Sequence, residues 1–228
     1  MRAMILAAGR GTRLQPYTDT TPKPMLTVAG RPLIEHQLGW LRDAGIVDVV
    51  INLHHLGEQI RAHVGDGSVF GVSVRYSVEE QLLETGGGIV KALPMLGENP
   101  FLILNGDIFT DFPLETFPRD LPNGSRAHLL LTPTPDFREA GDFEWAGGRV
   151  TSRGTTYVYC GIALLHPTFF DGCTIQPFSL ADLYFEAIEQ RALTGEVWNG
   201  RWTDIGTPEQ LEALQGIGIE GRSGFSRD

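Results

Sequence analysis

The segment LAAGRGTRL at positions 6–14 has the residue types of an anion-binding loop, and it directly follows a short apolar run. Gly9 and Gly11 lack side chains, so the backbone N–H groups around them can approach an anion closely. In a doubly wound sheet, ligands bind beyond the carboxyl ends of the strands, which is where this loop would lie. The segment therefore predicts a phosphate-binding loop, with an ordinary glycine-rich turn as the alternative.

Two common nucleotide-binding patterns do not fit this loop. Leu14 stands where the dinucleotide fingerprint has its third glycine, and the next apolar run ends at Asn52–Leu53 without an acidic residue for a ribose. The Walker pattern also fails, because no Lys-Ser/Thr pair follows the glycines. The loop therefore indicates neither a dinucleotide-binding enzyme nor a P-loop NTPase.

Two cations lie close to the glycines and could neutralise a phosphate. Arg13 is in the loop itself, and Lys23 lies between Pro22 and Pro24 in the sequence TPKP. Proline fixes its own φ and restricts the residue before it, so we expect Lys23 on a stiff, extended backbone. A lysine held in this way suits contact with a phosphate that must be positioned. A solvated lysine in a proline turn is the alternative.

The elements that must position these residues alternate between strand and helix periods in the first half of the chain. Strand patterns are found at 4–6, 46–53, 72–76 and 101–104. Helix patterns run from Pro32 to Gly45, across 56–64, and over 89–93 up to Pro94. The alternation predicts an α/β fold, with a doubly wound, mostly parallel sheet and helices on both faces.

The second half of the chain predicts a mixed-strand extension of that sheet. Strand patterns occur at 127–132 and 155–165, and Gly147-Gly148 indicates a hairpin turn. Two helices are expected to begin at Ser179 and Thr207, the second with a capping box completed by Gln210. With no repeat or internal linker, we expect one domain over 1–228, ending in a loose glycine-rich tail at 216–228.

Composition and charge limit the classes of partner. Lys and Arg number 18 against 28 Asp and Glu, and the net charge of −10 disfavours nucleic acid as the main partner. No run of 18 apolar residues is present, so we expect no membrane span. Cys160 and Cys173 have neither metal-ligand spacing nor a disulfide framework, which favours a reduced, cytoplasmic location.

LAAGRGTRL followed by TPKP resembles the signature of the sugar-1-phosphate nucleotidylyltransferases. The resemblance continues through LETGGG at 83–88, LNGD at 104–107, GDFEW at 141–145 and WTDIGTPEQL at 202–211. Within that family, the chain looks most like the N-acetylmuramate 1-phosphate uridylyltransferases of bacterial cell-wall recycling. The resemblance implies a Rossmann-like, GT-A-like nucleotidyltransferase fold. It also implies a nucleotide-binding half at 1–110 and a sugar-binding half at 111–215.

The resemblance further implies the reaction, which is Mg²⁺-dependent transfer of a uridylyl group from UTP to N-acetylmuramate 1-phosphate with release of pyrophosphate. Arg13 and Lys23 would be the catalytic residues, and Asp107 and Asp204 would hold Mg²⁺. Carboxylates together with substrate phosphates are the oxygen ligands that Mg²⁺ prefers. Because Asp204 lies just before an expected helix start, capping that helix is its alternative role.

Similarity to the family also marks the substrate-binding candidates. Those for the nucleotide are Leu6, Ala8, Gly9, Gly11, Thr12, Arg13, Lys23, Glu79, Thr85 and Gly86. Those for the sugar are Asn105, Asp142 and Gly161. A carboxylate only accepts hydrogen bonds, so Glu79 facing uracil N3–H is chemically reasonable, and a solvated Glu79–Glu80 pair is the alternative.

Two other functions are compatible with the same motifs. One is a nucleotidylyltransferase for another sugar 1-phosphate, a hexose or a heptose, or for phosphocholine, with a different NTP. The other is a non-catalytic regulatory subunit that binds a nucleotide sugar. A degenerate subunit would be expected to lose the lysine or a carboxylate, and all of Arg13, Lys23, Asp107 and Asp204 are present. The expected partners are therefore small molecules, and the protein is expected to be a monomer or a homodimer.

Overall fold

The fold is built on a nine-stranded mixed sheet, seen in a computed structural model that describes residues 1–122 and 124–215. The strands are β1 (Arg2–Leu6), β2 (Thr27–Val28), β3 (Arg31–Pro32), β4 (Asp48–Leu53), β5 (Ser73–Val78), β6 (Phe101–Asn105), β7 (Ile108–Thr110), β8 (Ala127–Pro133), β9 (Phe143–Ala146), β10 (Arg149–Arg153), β11 (Tyr157–Leu165), β12 (Leu193–Val197) and β13 (Trp202–Asp204). The α-helices are α1 (Tyr17–Thr20), α2 (Leu33–Asp43), α3 (Gly57–Val64), α4 (Glu84–Leu96), α5 (Leu180–Glu189) and α6 (Pro208–Gln215). The tail expected at 216–228 lies outside the described residues.

Strand order separates a parallel half of the sheet from a mixed half. The order is β5-β4-β1-β6-β11-β8-β12-β10-β9, and the first four strands pair in parallel. Beyond them, β11 is antiparallel to both β6 and β8, whereas β12 is parallel to β8. The α/β fold and its mixed-strand second half are therefore confirmed.

Alternate residues of the central strands pack into two apolar cores on opposite faces of the sheet. Ala3 and Ile5 of β1 belong to one core, which α2 and α3 cover, and Met4 belongs to the other, which α4 and α5 cover. Because side chains alternate across a strand, β1 must be apolar at every central position. The short apolar run before the glycine loop is therefore an interior strand of the sheet, buried on both faces.

Helix α4 is longer than the sequence pattern predicts. It begins at Glu84, includes all three glycines of LETGGG, and continues past Pro94 to Leu96. The prediction that this helix ends at Pro94 is wrong. Pro94 lies in the last turn, where the missing N–H removes a single hydrogen bond, so the helix tolerates it.

A third apolar cluster joins the first loops of the chain to its last described helix. Leu14 and Leu26 pack with Ile205, Leu211 and Leu214. Leu14 follows Arg13 directly, and Leu26 lies three residues after Lys23. Helix α6 is therefore packed against the segment that carries both candidate cations.

Candidate active site

A cavity of about 460 Å³ lies at the carboxyl ends of β1, β4 and β6. Its lining residues come from the glycine loop, from the ends of those strands, from the start of α4 and from the β13–α6 junction. They are Leu6, Ala7, Ala8, Gly9, Gly11, Thr12, Arg13, Leu14, Lys23, Pro24, Asn52, Leu82, Glu84, Thr85, Asn105, Gly106, Asp107, Ser179 and Gly206. This volume is in the range of small-ligand sites, and the position is the one that a doubly wound sheet offers to ligands.

The two glycines of the first loop serve different purposes. A Cβ at Gly9 would meet nothing within 4 Å, so the backbone there is open to a ligand. Gly11 has a φ of +62°, and a Cβ there would lie 2.8 Å from Thr18 Cγ2. Thr18 Oγ1 also donates to the Gly11 carbonyl at 2.8 Å. Gly11 therefore fixes the shape of the loop, whereas Gly9 leaves room for an anion.

Lys23 is held in the cavity by an ion pair with Asp107. Its Nζ lies 2.6 Å from Asp107 Oδ2, and the two side chains are 14% and 25% exposed. Pro22 is extended, but Lys23 begins a 3₁₀ turn, which differs from the extended backbone expected for it. Gly106 allows the loop before Asp107 to lie against the end of β1, because a Cβ there would overlap the carbonyl oxygen of Leu6.

Strand β13 brings Asp204 next to the Asp107 loop. It pairs antiparallel with β7, which places Asp204 opposite Ile108, and the Ile205 N–H donates to the Asp107 carbonyl at 2.8 Å. The Asp204 side chain is 13% exposed, and its Oδ2 lies 3.3 Å from Arg138 Nη2. Its Oδ1 accepts a hydrogen bond from Gln210 Nε2 at 3.3 Å.

The start of α6 is capped without the help of Asp204. Gln210 Oε1 accepts from the N–H groups of Gly206 and Thr207, and the Gln210 N–H donates to Thr207 Oγ1. This is the reciprocal capping box that the sequence predicts. Arg13 reaches the same junction, since a Cβ at Gly206 would lie 3.3 Å from its Nη1.

Carboxylates have the donor chemistry that suits a hard divalent cation; Asp107 lines the cavity, whereas Asp204 lies on the adjoining strand and is not among the lining residues. Within the described residues, no group of three or more His, Cys, Asp or Glu side chains could hold a metal ion by itself. Mg²⁺ is typically held by one or two carboxylates together with substrate phosphates, so two aspartates beside a phosphate-binding loop are a sufficient protein contribution.

Among the sugar candidates, Asn105 lines the cavity, and Gly161 packs against the Asn105 side chain. Gly161 has a φ of +75°, and a Cβ there would lie 2.9 Å from Asn105 Cβ. Asp142 is exposed, and its Oδ2 accepts from the Tyr159 N–H at 2.9 Å and lies 3.5 Å from Arg138 Nη1. Arg138 thus links the Asp142 turn to Asp204.

Two nucleotide candidates lie behind the cavity wall. Glu79 is 3% exposed, and its carboxylate oxygens accept from Asn52 Nδ2 and from the Leu83 N–H. Gly86 is buried, and a Cβ there would overlap the Phe178 ring. Neither residue is among those that line the cavity, and their contact with the nucleotide stays a prediction. Thr85 lines the cavity, as expected.

Cys160 lies near Arg138 and Asp142 but is not suited to act as a nucleophile. The thiol is fully buried, and this burial raises its pKa well above its usual value, against a lowering effect of Arg138. A thiol with a raised pKa stays protonated at neutral pH, and the thiolate is the nucleophilic form. This residue therefore has a packing role in β11.

Comparison with known proteins identifies the family of this chain. The profile of the nucleotidyl transferase family matches residues 2–140. The chain is 41% identical, over 95% of its length and 98% of the relative, to N-acetylmuramate alpha-1-phosphate uridylyltransferase from Neisseria meningitidis serogroup B. This chain belongs to the nucleotidyl transferase family. It is a sugar-1-phosphate nucleotidyltransferase, an enzyme.

A second relative supports the same family, and a solved structure shows the same fold. It is 31% identical to N-acetylmuramate alpha-1-phosphate uridylyltransferase from Caulobacter vibrioides, over 93% of this chain and 95% of the relative. A Bacillus anthracis protein described as a glucose-1-phosphate thymidylyltransferase superposes with a TM-score of 0.87 at 23% identity, covering 99% of this chain and 98% of that one. At that identity, the superposition supports the fold alone.

Three residues in or near the site of this nucleotidyltransferase were not among the residues predicted from the sequence. Gln37 of α2 is fully buried, and its Nε2 donates to the Asn105 carbonyl at 2.8 Å. The sequence feature that could have indicated Gln37 is a glutamine on the apolar face of a helix. Glu84 lines the cavity at a φ of +58°, a strained conformation that no sequence pattern indicates. Arg138 is in a polar loop without a motif.

Across 1–122 and 124–215, none of the helices combines the length and the apolar character that crossing a bilayer requires.

Proposed function

We propose that this enzyme transfers a uridylyl group from UTP to N-acetylmuramate 1-phosphate, giving UDP-N-acetylmuramate and pyrophosphate. The observation that carries the proposal is the match, over more than nine-tenths of the chain, to two relatives that both bear the name N-acetylmuramate alpha-1-phosphate uridylyltransferase. The motifs LETGGG and GDFEW, which led to the same family by resemblance, support it.

The proposed chemistry is a direct in-line displacement. A phosphate oxygen of the sugar 1-phosphate attacks the α-phosphorus of UTP, the bond to the β-phosphate oxygen breaks, and pyrophosphate leaves. No protein nucleophile is required, so catalysis consists of positioning and neutralisation of charge. The amides around Gly9 and the Arg13 guanidinium would hold the β- and γ-phosphates. Lys23 would contact the phosphates as charge develops on them.

Asp107 and Asp204 are the residues that would hold Mg²⁺. When bound, the ion would supply charge neutralisation at the phosphate oxygens. In this structure, Lys23 and Arg138 neutralise these two carboxylates instead, at 2.6 Å and 3.3 Å. Lys23 lines the cavity, so it lies where it could either balance Asp107 or turn to a substrate phosphate.

For the sugar, we propose that Asn105 is the principal contact. It lines the cavity one residue before Gly106, and its amide can both donate and accept hydrogen bonds from sugar hydroxyls. Gly161 would lie beside the sugar because it packs against Asn105, and Asp142, which lies 3.5 Å from Arg138, would accept a hydrogen bond from a sugar hydroxyl.

Pyrophosphate release over a grid of substrates tests this proposal. The four NTPs are each combined with N-acetylmuramate 1-phosphate, a hexose 1-phosphate, a heptose 1-phosphate and phosphocholine, with Mg²⁺ and with a chelator. We expect UTP with N-acetylmuramate 1-phosphate to be the best pair and to require the metal. A tenfold preference for another pair, roughly 1.4 kcal/mol of transition-state stabilisation, would overturn the substrate assignment. No turnover with any pair would favour a regulatory, non-catalytic role.

A further inference from the structure

A fully buried glutamine of α2, Gln37, lies on a face of the helix that is otherwise apolar. Ile34 is three residues before it and Leu41 is four residues after it, so the three side chains share one stripe of the helix. Burying a polar side chain costs free energy unless the side chain makes hydrogen bonds. The hydrogen bonds of Gln37 therefore indicate why α2 has a carboxamide at this position.

The Gln37 carboxamide donates to two backbone carbonyls, one on each side of Asp107. Its Nε2 lies 2.8 Å from the Asn105 oxygen and 3.4 Å from the Ile108 oxygen. A carboxamide nitrogen carries two hydrogens, one for each carbonyl. In the described part of the chain, no residue donates a hydrogen bond to Gln37 Oε1. A flipped amide would place that oxygen against two carbonyl oxygens, so the donor chemistry of Nε2 determines the orientation of the side chain.

The turn that Gln37 binds joins β6 to β7, and its middle is held by two other strands. The Gly106 N–H donates to the Leu6 carbonyl of β1 at 2.9 Å. The Asp107 carbonyl accepts from the Ile205 N–H, directly after β13, at 2.8 Å. Buried backbone polar groups need partners, and α2 supplies one at each end of this turn.

This turn carries two side chains that line the cavity, those of Asn105 and Asp107. Asp107 is also the partner of Lys23, at 2.6 Å. We propose that Gln37 is a positioning residue, which fixes the turn from α2 and so determines where the Asn105 and Asp107 side chains lie in the cavity. Its hydrogen bonds go to main-chain oxygens, so it acts through the position of the turn. The kinetic consequence rests on the proposed function, in which Asp107 holds Mg²⁺ and Asn105 contacts the sugar.

The first test is Gln37→Met. Methionine has nearly the length and volume of glutamine but no N–H group, so core packing is retained while both donors are lost. A misplacement of about 1 Å can cost on the order of 10² in rate, so we expect kcat/KM at low Mg²⁺ to fall about tenfold or more. The Mg²⁺ concentration for half-saturation should rise, and adding more Mg²⁺ should recover part of the lost rate.

Two controls separate positioning from a general loss of stability. Gln59→Met makes the same substitution at an exposed glutamine whose Nε2 donates to the Thr20 carbonyl at 2.8 Å, and it should behave as the wild type. Leu41→Ala creates a cavity in the same stripe of α2, so it should lower the melting temperature without changing the Mg²⁺ requirement. If Gln37→Met fails to fold, Gln37→Asn provides the same test, because it withdraws the carboxamide by one carbon and breaks the bond to Asn105.

Hydrogen exchange separates this inference from the proposed function. In Gln37→Met, the Gly106 and Ile205 amides should exchange faster than in the wild type, whichever substrates the enzyme uses. The Ala44 amide, which donates to the Trp40 carbonyl within α2, should be unchanged.

An unchanged Mg²⁺ requirement in the Gln37 variant, or an equal change in Leu41→Ala, would overturn the inference. Unchanged exchange at both turn amides would do the same. A wild type without turnover would refute only the proposed reaction, because the exchange pattern would still test whether Gln37 fixes the turn.

Discussion

Asp204→Asn is the most informative single change, because the structure assigns Asp204 two protein contacts and neither is a helix cap. Asn keeps an oxygen that can accept from Gln210 Nε2, as Asp204 Oδ1 does at 3.3 Å. It loses the charge that pairs with Arg138 at 3.3 Å. The capping box of Thr207 and Gln210 stays intact.

The expected loss of stability from Asp204→Asn is small. Arg138 is partly exposed, and an ion pair of that kind contributes ~0.2–1 kcal/mol. In a protein of this size, ~1 kcal/mol lowers the melting temperature by about 2–4 °C. The rate should fall much further, on the order of 10²–10³, which is the usual effect of losing one preorganised charge-stabilising group.

The assay is the initial rate of pyrophosphate release as a function of Mg²⁺ concentration, measured together with the melting temperature. Asp107→Asn and the double variant complete the cycle. If both aspartates hold one ion, the double variant should be scarcely slower than the worse single variant, because removing a second ligand of a metal already lost changes little. Thr207→Ala is the matched control. It removes the cap of α6, so we expect the free energy of unfolding to fall by ~1 kcal/mol and the rate to be largely retained.

The reasoning would be refuted by an Asp204→Asn enzyme that is active and keeps its Mg²⁺ dependence. Additive effects of the two Asp→Asn changes would also contradict a shared ion. A melting temperature lowered far beyond the expected few degrees would show that the contact with Arg138 contributes more to folding than its exposure indicates.

Three further predictions concern the residues around the two aspartates. Lys23→Ala should lower kcat on the order of 10²–10³ with the fold retained, and near-normal turnover would reduce Lys23 to a turn residue. Arg138→Ala removes a cation that competes for the Asp204 carboxylate, so half-saturation should need less Mg²⁺; an unchanged or higher requirement would contradict competition. Gly106→Ala would force a methyl group into the end of β1, so its melting temperature should fall clearly, and an unchanged melting curve would contradict the close packing.

The parts of the site that the sequence predicted are local in the chain. The glycine loop follows β1 directly, and the proline-flanked Lys23 and the LNGD turn are each contained within a few residues. Their convergence follows from the rule that the carboxyl ends of parallel strands meet at one edge. The capping box at Thr207 and Gln210 was predictable for the same reason, since its members are three residues apart.

The parts that the sequence did not predict depend on contacts between distant segments. Gly86 is a glycine because the Phe178 ring crosses the start of α4, and nothing near position 86 indicates that crossing. Glu79 was a candidate by resemblance alone, and its burial and its hydrogen-bond partners became visible only when β4 and β5 were paired. The division into halves at 110 and 111 stays a prediction.

During synthesis, β7 leaves the ribosome well before β13, so the pairing of these two strands has to wait for the later one. Asp204 follows Asp107 by 97 residues, so at ~5–20 residues per second the ribosome adds it about 5–20 s later. Until then, the nascent chain carries the glycine loop, Lys23 and Asp107 without the second carboxylate. The apolar cluster of Leu14 with the α6 residues also forms only after that interval. A ligand that needs both carboxylates would therefore bind, and by mass action stabilise, only chains in which β13 has already paired with β7.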